Sequence, residues 1–184
     1  MKHTKFLVVS DIHGSLSGAL LAKEAYTHHH CDCILNLGDN LYHGPRNDLP
    51  EDYQPKKVIE ILNSLQDVIT AVRGNCDAEV DQMVLSYPLM DTSKTLFTEK
   101  RTLFLTHGHV IAPDHIPSFL KEGDVFLSGH THIPTAHSVN GIFLLNPGSA
   151  SLPKENHPKS YGILDDNGFV IYTSSHEEYM RIEF

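Results

Sequence analysis

Three times within its first 77 residues the chain runs through a short apolar segment and stops at a polar residue. Residues 6–10 lead to Asp11, residues 33–37 to Gly38-Asp39, and residues 68–72 to Arg73-Gly74-Asn75. Each segment has the length and apolar content of a buried strand. Between them, residues 15–26 carry Leu16, Ala19, Leu20 and Lys23 at helical spacing, and residues 56–65 read as a second helix. Such a βαβαβ alternation folds as parallel strands joined by helical crossovers. In an open sheet of this kind, side chains at the carboxyl ends of neighbouring strands converge on one crevice. Residues far apart in sequence can therefore share a site.

After residue 77 the rhythm changes. Strands are predicted near 95–97, 102–106 and 124–128, one helix around 116–121, and a mostly β tail. Asn140-Gly141 and Asn167-Gly168 each lie between extended runs, the strongest short-range signal for tight hairpins. The expectation is an α/β fold of two packed sheets flanked by helices, in a single domain over residues 1–184. The polar, proline-containing stretch 40–55 reads as a surface loop of a length that usually carries function.

Composition narrows the partners. A net charge of −9 argues against a broad grip on a nucleic-acid backbone, so no stable nucleic-acid complex is expected. The apolar run at 6–9 is too short for a signal-peptide core, and no stretch approaches a membrane span. Cys31, Cys33 and Cys76 are odd in number, and the close pair lacks redox or zinc spacing. A reducing cytoplasm is the expected setting.

Chemistry gathers in five segments at predicted strand ends: Asp11-Ile12-His13, Gly38-Asp39, Gly74-Asn75, His107-Gly108-His109 and Gly129-His130-Thr131-His132. Two divalent cations roughly 3.5–4 Å apart need several protein ligands each and one shared group. Asp suits the shared position because its two oxygens can bind different ions, while His and the Asn amide oxygen suit terminal positions. Asp11 and His13 are expected on extended backbone, where alternate side chains point the same way. The run His28-His29-His30 closes a helix with its three side chains pointing different ways, so it is not expected to form a metal tract, and His3, His115, His137, His157 and His176 read as surface or packing residues.

In this order the segments resemble the calcineurin-like metallophosphoesterase family, whose motifs are Asp-x-His, Gly-Asp, Gly-Asn-His-Asp/Glu, His-Gly-His and Gly-His-x-His. The chain is most similar to the small bacterial phosphodiesterases of that family, through His43-Gly44-Pro45-Arg46-Asn47, residues 72–77 and Asn146-Pro147-Gly148-Ser149. The resemblance spans about residues 6–164 and implies a sandwich of two mixed sheets. It also implies one metal on Asp11, His13, Asp39 and His132, and a second on Asp39, Asn75, His107 and His130. A water or hydroxide shared by two ions, most often manganese and otherwise iron or zinc, would then attack a small phosphoester.

The same resemblance makes Asp39, Asn75, Cys76 and Asp77 the catalytic candidates, with Arg46, His43 and Arg73 as candidate contacts to substrate. His109 is expected to orient a metal ligand, and Gly129, Thr131 and Gly148 to shape loops. Cys76 stands where most of the family has His, although the small bacterial members share the cysteine. A thiol is a weak donor and carries no imidazolium charge, so a phosphodiester or a good leaving group is expected. Monoester or cyclic-nucleotide hydrolysis stays open, as does a non-catalytic scaffold like the one in eukaryotic retromer. A homo-oligomer built on the apolar C-terminal strands is also compatible.

Overall fold

The computed structural model describes residues 4–184; His3 lies outside them. Strands β1 (Phe6–Val9), β2 (Cys33–Asn36) and β3 (Ile69–Ala71) pair in parallel, joined by helices α1 (Leu16–His28) and α2 (Pro55–Asn63). β4 (Ser93–Phe97), β5 (Thr102–Thr106), β6 (Val125–Leu127), β7 (Thr135–Val139) and β8 (Ile142–Asn146) form a second sheet in the order β4-β5-β6-β8-β7. Its middle three strands are parallel and its two edges antiparallel. The chain then returns: β9 (Ser160–Leu164) pairs antiparallel with β1, and β10 (Gly168–Thr173) and β11 (Glu178–Glu183) complete the six-stranded first sheet.

The two mixed sheets pack face to face over one apolar layer. Val8, Leu35 and Phe169 from the first meet Leu103, Leu105, Val125 and Leu127 from the second. Burying each such side chain contributes about 1.5–3 kcal/mol. The outer face of the first sheet takes α1 and α2. There α1 buries Gly18, Ala19, Leu21, Ala22 and Ala25 while Leu20 and Lys23 face outward, a rotation of the expected stripe. Its small residues let the helix lie close to the strands.

On the outer face of the second sheet the expected helix at 116–121 does not form. The segment folds as turns, with Leu120 N donating to the Pro117 carbonyl and His115 N to that of Ala112. Proline at 117 disfavours a helical residue 116. Ile111, Ile116 and Leu120 still cover Phe104 and Phe126, so the apolar spacing was that of a lid. A four-residue helix α3 (Glu79–Gln82) was not foreseen.

Both hairpins stand where Asn-Gly placed them, between β7 and β8 and between β9 and β10. Asn140 and Gly141 both have positive φ (52° and 79°), as a type I′ turn requires. His28 ends α1, His29 caps it, and the Tyr161 hydroxyl lies between His29 Nε2 (2.8 Å) and His176 Nδ1 (2.7 Å). Burial and the neighbouring His28 push His29 down to about 4. His28 and His29 therefore pack against the β tail, while His30 is exposed. Among the described residues no cysteine forms a disulfide, and no helix is long and apolar enough to cross a membrane.

Candidate metal centre

Parallel pairing continues past the strands. Asp11 N donates to the Gly38 carbonyl, His13 N to that of Asp39 and Gly14 N to that of Asn40, so two loops leave the sheet side by side. Asp11, His13, Asp39, His130 and His132 all have left-handed backbone, with φ of 57°, 50°, 59°, 65° and 61°. Extended alternation is therefore not what aligns Asp11 with His13, or His130 with His132. In each pair a left-handed residue, an ordinary one and a second left-handed residue wind a tight turn that brings both side chains to one side. Asp and His are among the few non-glycine residues that enter this region readily.

Other groups fix those turns. The Asp11 carbonyl accepts from both Ser149 Oγ and Ser151 Oγ at 2.8 Å, and Asn146 Nδ2 donates to the Gly129 carbonyl at 2.8 Å. The Asn-Pro-Gly-Ser motif is thus a brace between the two sheets. Gly74 is needed for clearance, since a Cβ there would lie 2.0 Å from Asp39 Oδ1.

At the centre, three imidazoles face two carboxylates. His13 Nδ1 donates to the Tyr42 carbonyl (2.8 Å), His107 Nδ1 to that of Leu37 (2.7 Å) and His132 Nδ1 to that of Leu152 (2.5 Å). A carbonyl only accepts, so each Nδ1 holds its proton and each neutral ring presents a bare Nε2. Those Nε2 atoms converge on Asp11 Oδ1 at 3.5, 4.0 and 3.3 Å, and Asp11 Oδ1 is buried with no hydrogen-bond partner. His13 and His107 also reach Asp39 Oδ2, at 3.6 and 3.4 Å. Lone pairs facing lone pairs in a buried site demand a cation, either protons or a metal.

The ionisation balance has the same sign. Burial disfavours a charged His107, yet hydrogen bonding to Asp39 and the charge of Asp11 outweigh it and hold the ring up to about 9. Burial would raise Asp11, but His13 and His132 draw it well below the usual carboxylate range. On the other side of Asp39, Asn75 Oδ1 lies 3.1 Å from His107 Nε2 and 2.7 Å from His130 Nδ1. Two donor clusters therefore meet at Asp39. Ligand atoms of Asp11, His13 and His132, of Asp11, Asp39 and His107, and of His13, Asp39 and Cys76 lie within 4.8 Å of one another.

Cys76 and Asp77 sit differently from one another. The Cys76 amide donates to Asp39 Oδ1 at 2.7 Å, and burial beside Asp39 pushes its thiol up to about 12, so the sulfur stays protonated. Asp77 does not face the cavity. Its carboxylate accepts from the amides of Asp39 (2.8 Å), Asn40 (2.9 Å) and Gly74 (2.8 Å), tying the second and third loops together. Burial pushes this carboxyl upward against amides that favour its ionised form.

Of the substrate candidates, Arg46 alone lines the cavity of about 340 Å³ that opens over Asp39, Asn75, His130 and His132. Arg73 turns back, its Nε donating to the Asp77 carbonyl at 3.1 Å, and His43 packs edge-on against Tyr42 and Tyr53. His109 does not orient His107, which the Leu37 carbonyl holds; its ring lies edge-on to that of His107 with centroids 5.3 Å apart. Lys154 also lines the cavity and was not foreseen. Its only signal was a basic residue just beyond a motif at a strand end.

Two mixed sheets with Asp, Asn and His gathered at their strand ends are the frame of a phosphoesterase, and the chain belongs to the calcineurin-like phosphoesterase superfamily, whose domain it matches over residues 4–168. It is 47% identical over 163 residues to phosphodiesterase YfcE of Escherichia coli strain K12, covering 89% of this chain and 88% of that protein. The solved structure of YfcE, described as a phosphoesterase from E. coli, superposes with a TM-score of 0.95 at 42% identity, over 98% of this chain and 99% of that one. Vps29 of Chaetomium thermophilum shares the fold, with a TM-score of 0.69 at 16% identity over 98% of each chain.

Proposed function

We propose that this protein is a metal-dependent phosphodiesterase acting on small substrates. One divalent ion would be held by Asp11, His13, Asp39 and His132, and a second by Asp39, Asn75, His107 and His130. The observation that carries this reading is the buried Asp11 Oδ1, unpartnered amid three Nε2 atoms whose Nδ1 protons are committed to backbone carbonyls. Mixed oxygen and nitrogen donors suit manganese, iron or zinc. When bound, such ions supply charge that lowers the pKa of a shared water and offsets charge building on the phosphoryl oxygens.

The chain's own residues do the rest. Backbone carbonyls of Tyr42, Leu37 and Leu152 aim the imidazoles, and Asp77 holds the Asp39 and Asn75 loops in register. Arg46 presents a planar cation to the substrate from the cavity wall. Cys76, a weak and uncharged donor, offers no imidazolium to the leaving oxygen. Departure then depends on the leaving group itself, which favours diesters, with their single negative charge, and good leaving groups.

Turnover of an aryl phosphodiester and the matching aryl monoester, with manganese, tests the proposal. Faster diester turnover is expected, and Asp39→Asn should abolish it. Manganese binding without cleavage of either ester would instead favour a scaffold, and a clear monoester preference would overturn the substrate assignment.

A further inference from the structure

Two cations, Arg46 and Lys154, line the cavity beside the proposed metal ligands Asp39, Asn75, His130 and His132, and they come from different loops. Arg46 belongs to the loop between β2 and α2, and Lys154 to the segment after β8. Lys154 Nζ donates to Asn47 Oδ1 at 2.9 Å, and Asn47 is itself fixed by its Nδ2 on the His43 carbonyl at 2.8 Å. The same segment aims His132: the Leu152 carbonyl takes the ring proton and Lys154 N donates to the His132 carbonyl at 3.4 Å. The backbone of Lys154 is thereby tied to His132, and its ammonium to Asn47.

An ammonium has three donors. Asn47 takes one, which leaves two for the cavity. Among the described residues neither Arg46 nor Lys154 forms an ion pair with a carboxylate. In a chain of net charge −9, two such cations around one polar cavity of about 340 Å³ mark a place for negative charge. One anionic group, the scissile phosphate, is already matched by the proposed metals and needs no second pair of cations.

We propose that Lys154, with Arg46, forms a second anion subsite, so that the preferred substrates are small phosphodiesters with a carboxylate or phosphate at the end of one arm. This rests on the phosphodiesterase reading of the same site. Asn47 holds the ammonium in place before substrate arrives, which reduces the ordering needed on binding.

The test compares two ligands of equal length on manganese-loaded protein by titration calorimetry: 3-phosphonopropionate, which has a terminal carboxylate, and propylphosphonate, which does not. The native protein should prefer the carboxylate by roughly tenfold, the factor that 1.4 kcal/mol makes. Lys154→Met should bring the ratio of affinities near one, and Lys154→Arg should restore most of it. A purely structural role would weaken both ligands together and leave the ratio unchanged. A preference that survives Lys154→Met, or no preference in the native protein, overturns the proposal. Turnover of bis(4-nitrophenyl) phosphate is measured alongside. A Lys154-dependent preference without turnover would keep the subsite and discard the phosphodiesterase reading, whereas turnover without the preference would do the reverse.

Discussion

Asp77→Asn isolates the buried carboxylate that ties the loops carrying Asp39 and Asn75 together. One carboxylate oxygen takes the amides of Asp39 and Gly74 at 2.8 Å each, and the other takes the Asn40 amide at 2.9 Å and Asn40 Nδ2 at 3.3 Å. An asparagine can keep its oxygen toward Asp39 and Gly74, but its NH₂ then meets the Asn40 N–H, donor against donor. Turning Asn40 over does not help, because Asn40 Oδ1 already accepts from Asn36 Nδ2 at 2.7 Å. One charge-assisted bond, about 1.5–3 kcal/mol, is lost outright and the pair that remains becomes neutral and weaker. Relief of a buried charge offsets part of this, leaving a net loss of about 2–4 kcal/mol, a large share of the roughly 5–15 kcal/mol that holds a domain folded. Urea unfolding of the metal-free protein at pH 7.5 should show a lower midpoint at unchanged slope. Because Asp39 and Asn75 flank these amides, manganese affinity should fall about 10–100-fold, as for other groups that orient ligands. An Asp77→Asn protein within about 0.5 kcal/mol of the native one, with the same manganese affinity, would refute the reasoning.

The metal-free site should also compete with protons. His107 is raised to about 9, so its contribution to stability is complete below the unfolded value of about 6.5 and is lost as pH rises through 9. Manganese needs the neutral ring, so its affinity should climb with pH and level off above about 9, with a proton released at pH 7.5 that calorimetry in two buffers of different ionisation heat will detect; a flat profile argues against it. Gly74→Ala should drive Asp39 out of place, since the new methyl would stand 2.0 Å from its Oδ1. Manganese binding should disappear while the far-ultraviolet circular dichroism is kept, and binding at native affinity would disprove the clearance argument.

Much of this arrangement was legible in the chain, for identifiable reasons. Apolar runs that stop at Asp11, Asp39 and Asn75 report burial on both faces of a parallel sheet, and the Asn140-Gly141 turn reports a backbone few residues tolerate. Converging strand ends brought together the five segments that carry Asp11, His13, Asp39, Asn75, His107, His130 and His132, and the resemblance picked these residues out of them. What pattern could not supply was backbone hand and long-range partnership. Nothing in Asp11-Ile12-His13 announces left-handed turns, because they are imposed by Ser149 and Ser151 some 140 residues away. Asp77 beside the motif looked catalytic, yet its partners are amides, which sequence does not display. Ile116 and Leu120 have helical spacing, but prolines and an uncovered sheet face decided otherwise.

The left-handed backbone at Asp11, His13, Asp39, His130 and His132 has a consequence for how such a chain can drift. Each position costs on the order of 1 kcal/mol relative to a residue at ease there. Glycine would relieve it at once, and would delete the donor with it. On the proposed metal roles, selection for folding alone and selection for turnover would therefore pull these five positions in opposite directions. A descendant freed from catalysis would relax here first, keeping the sandwich intact while the proposed ligands disappeared.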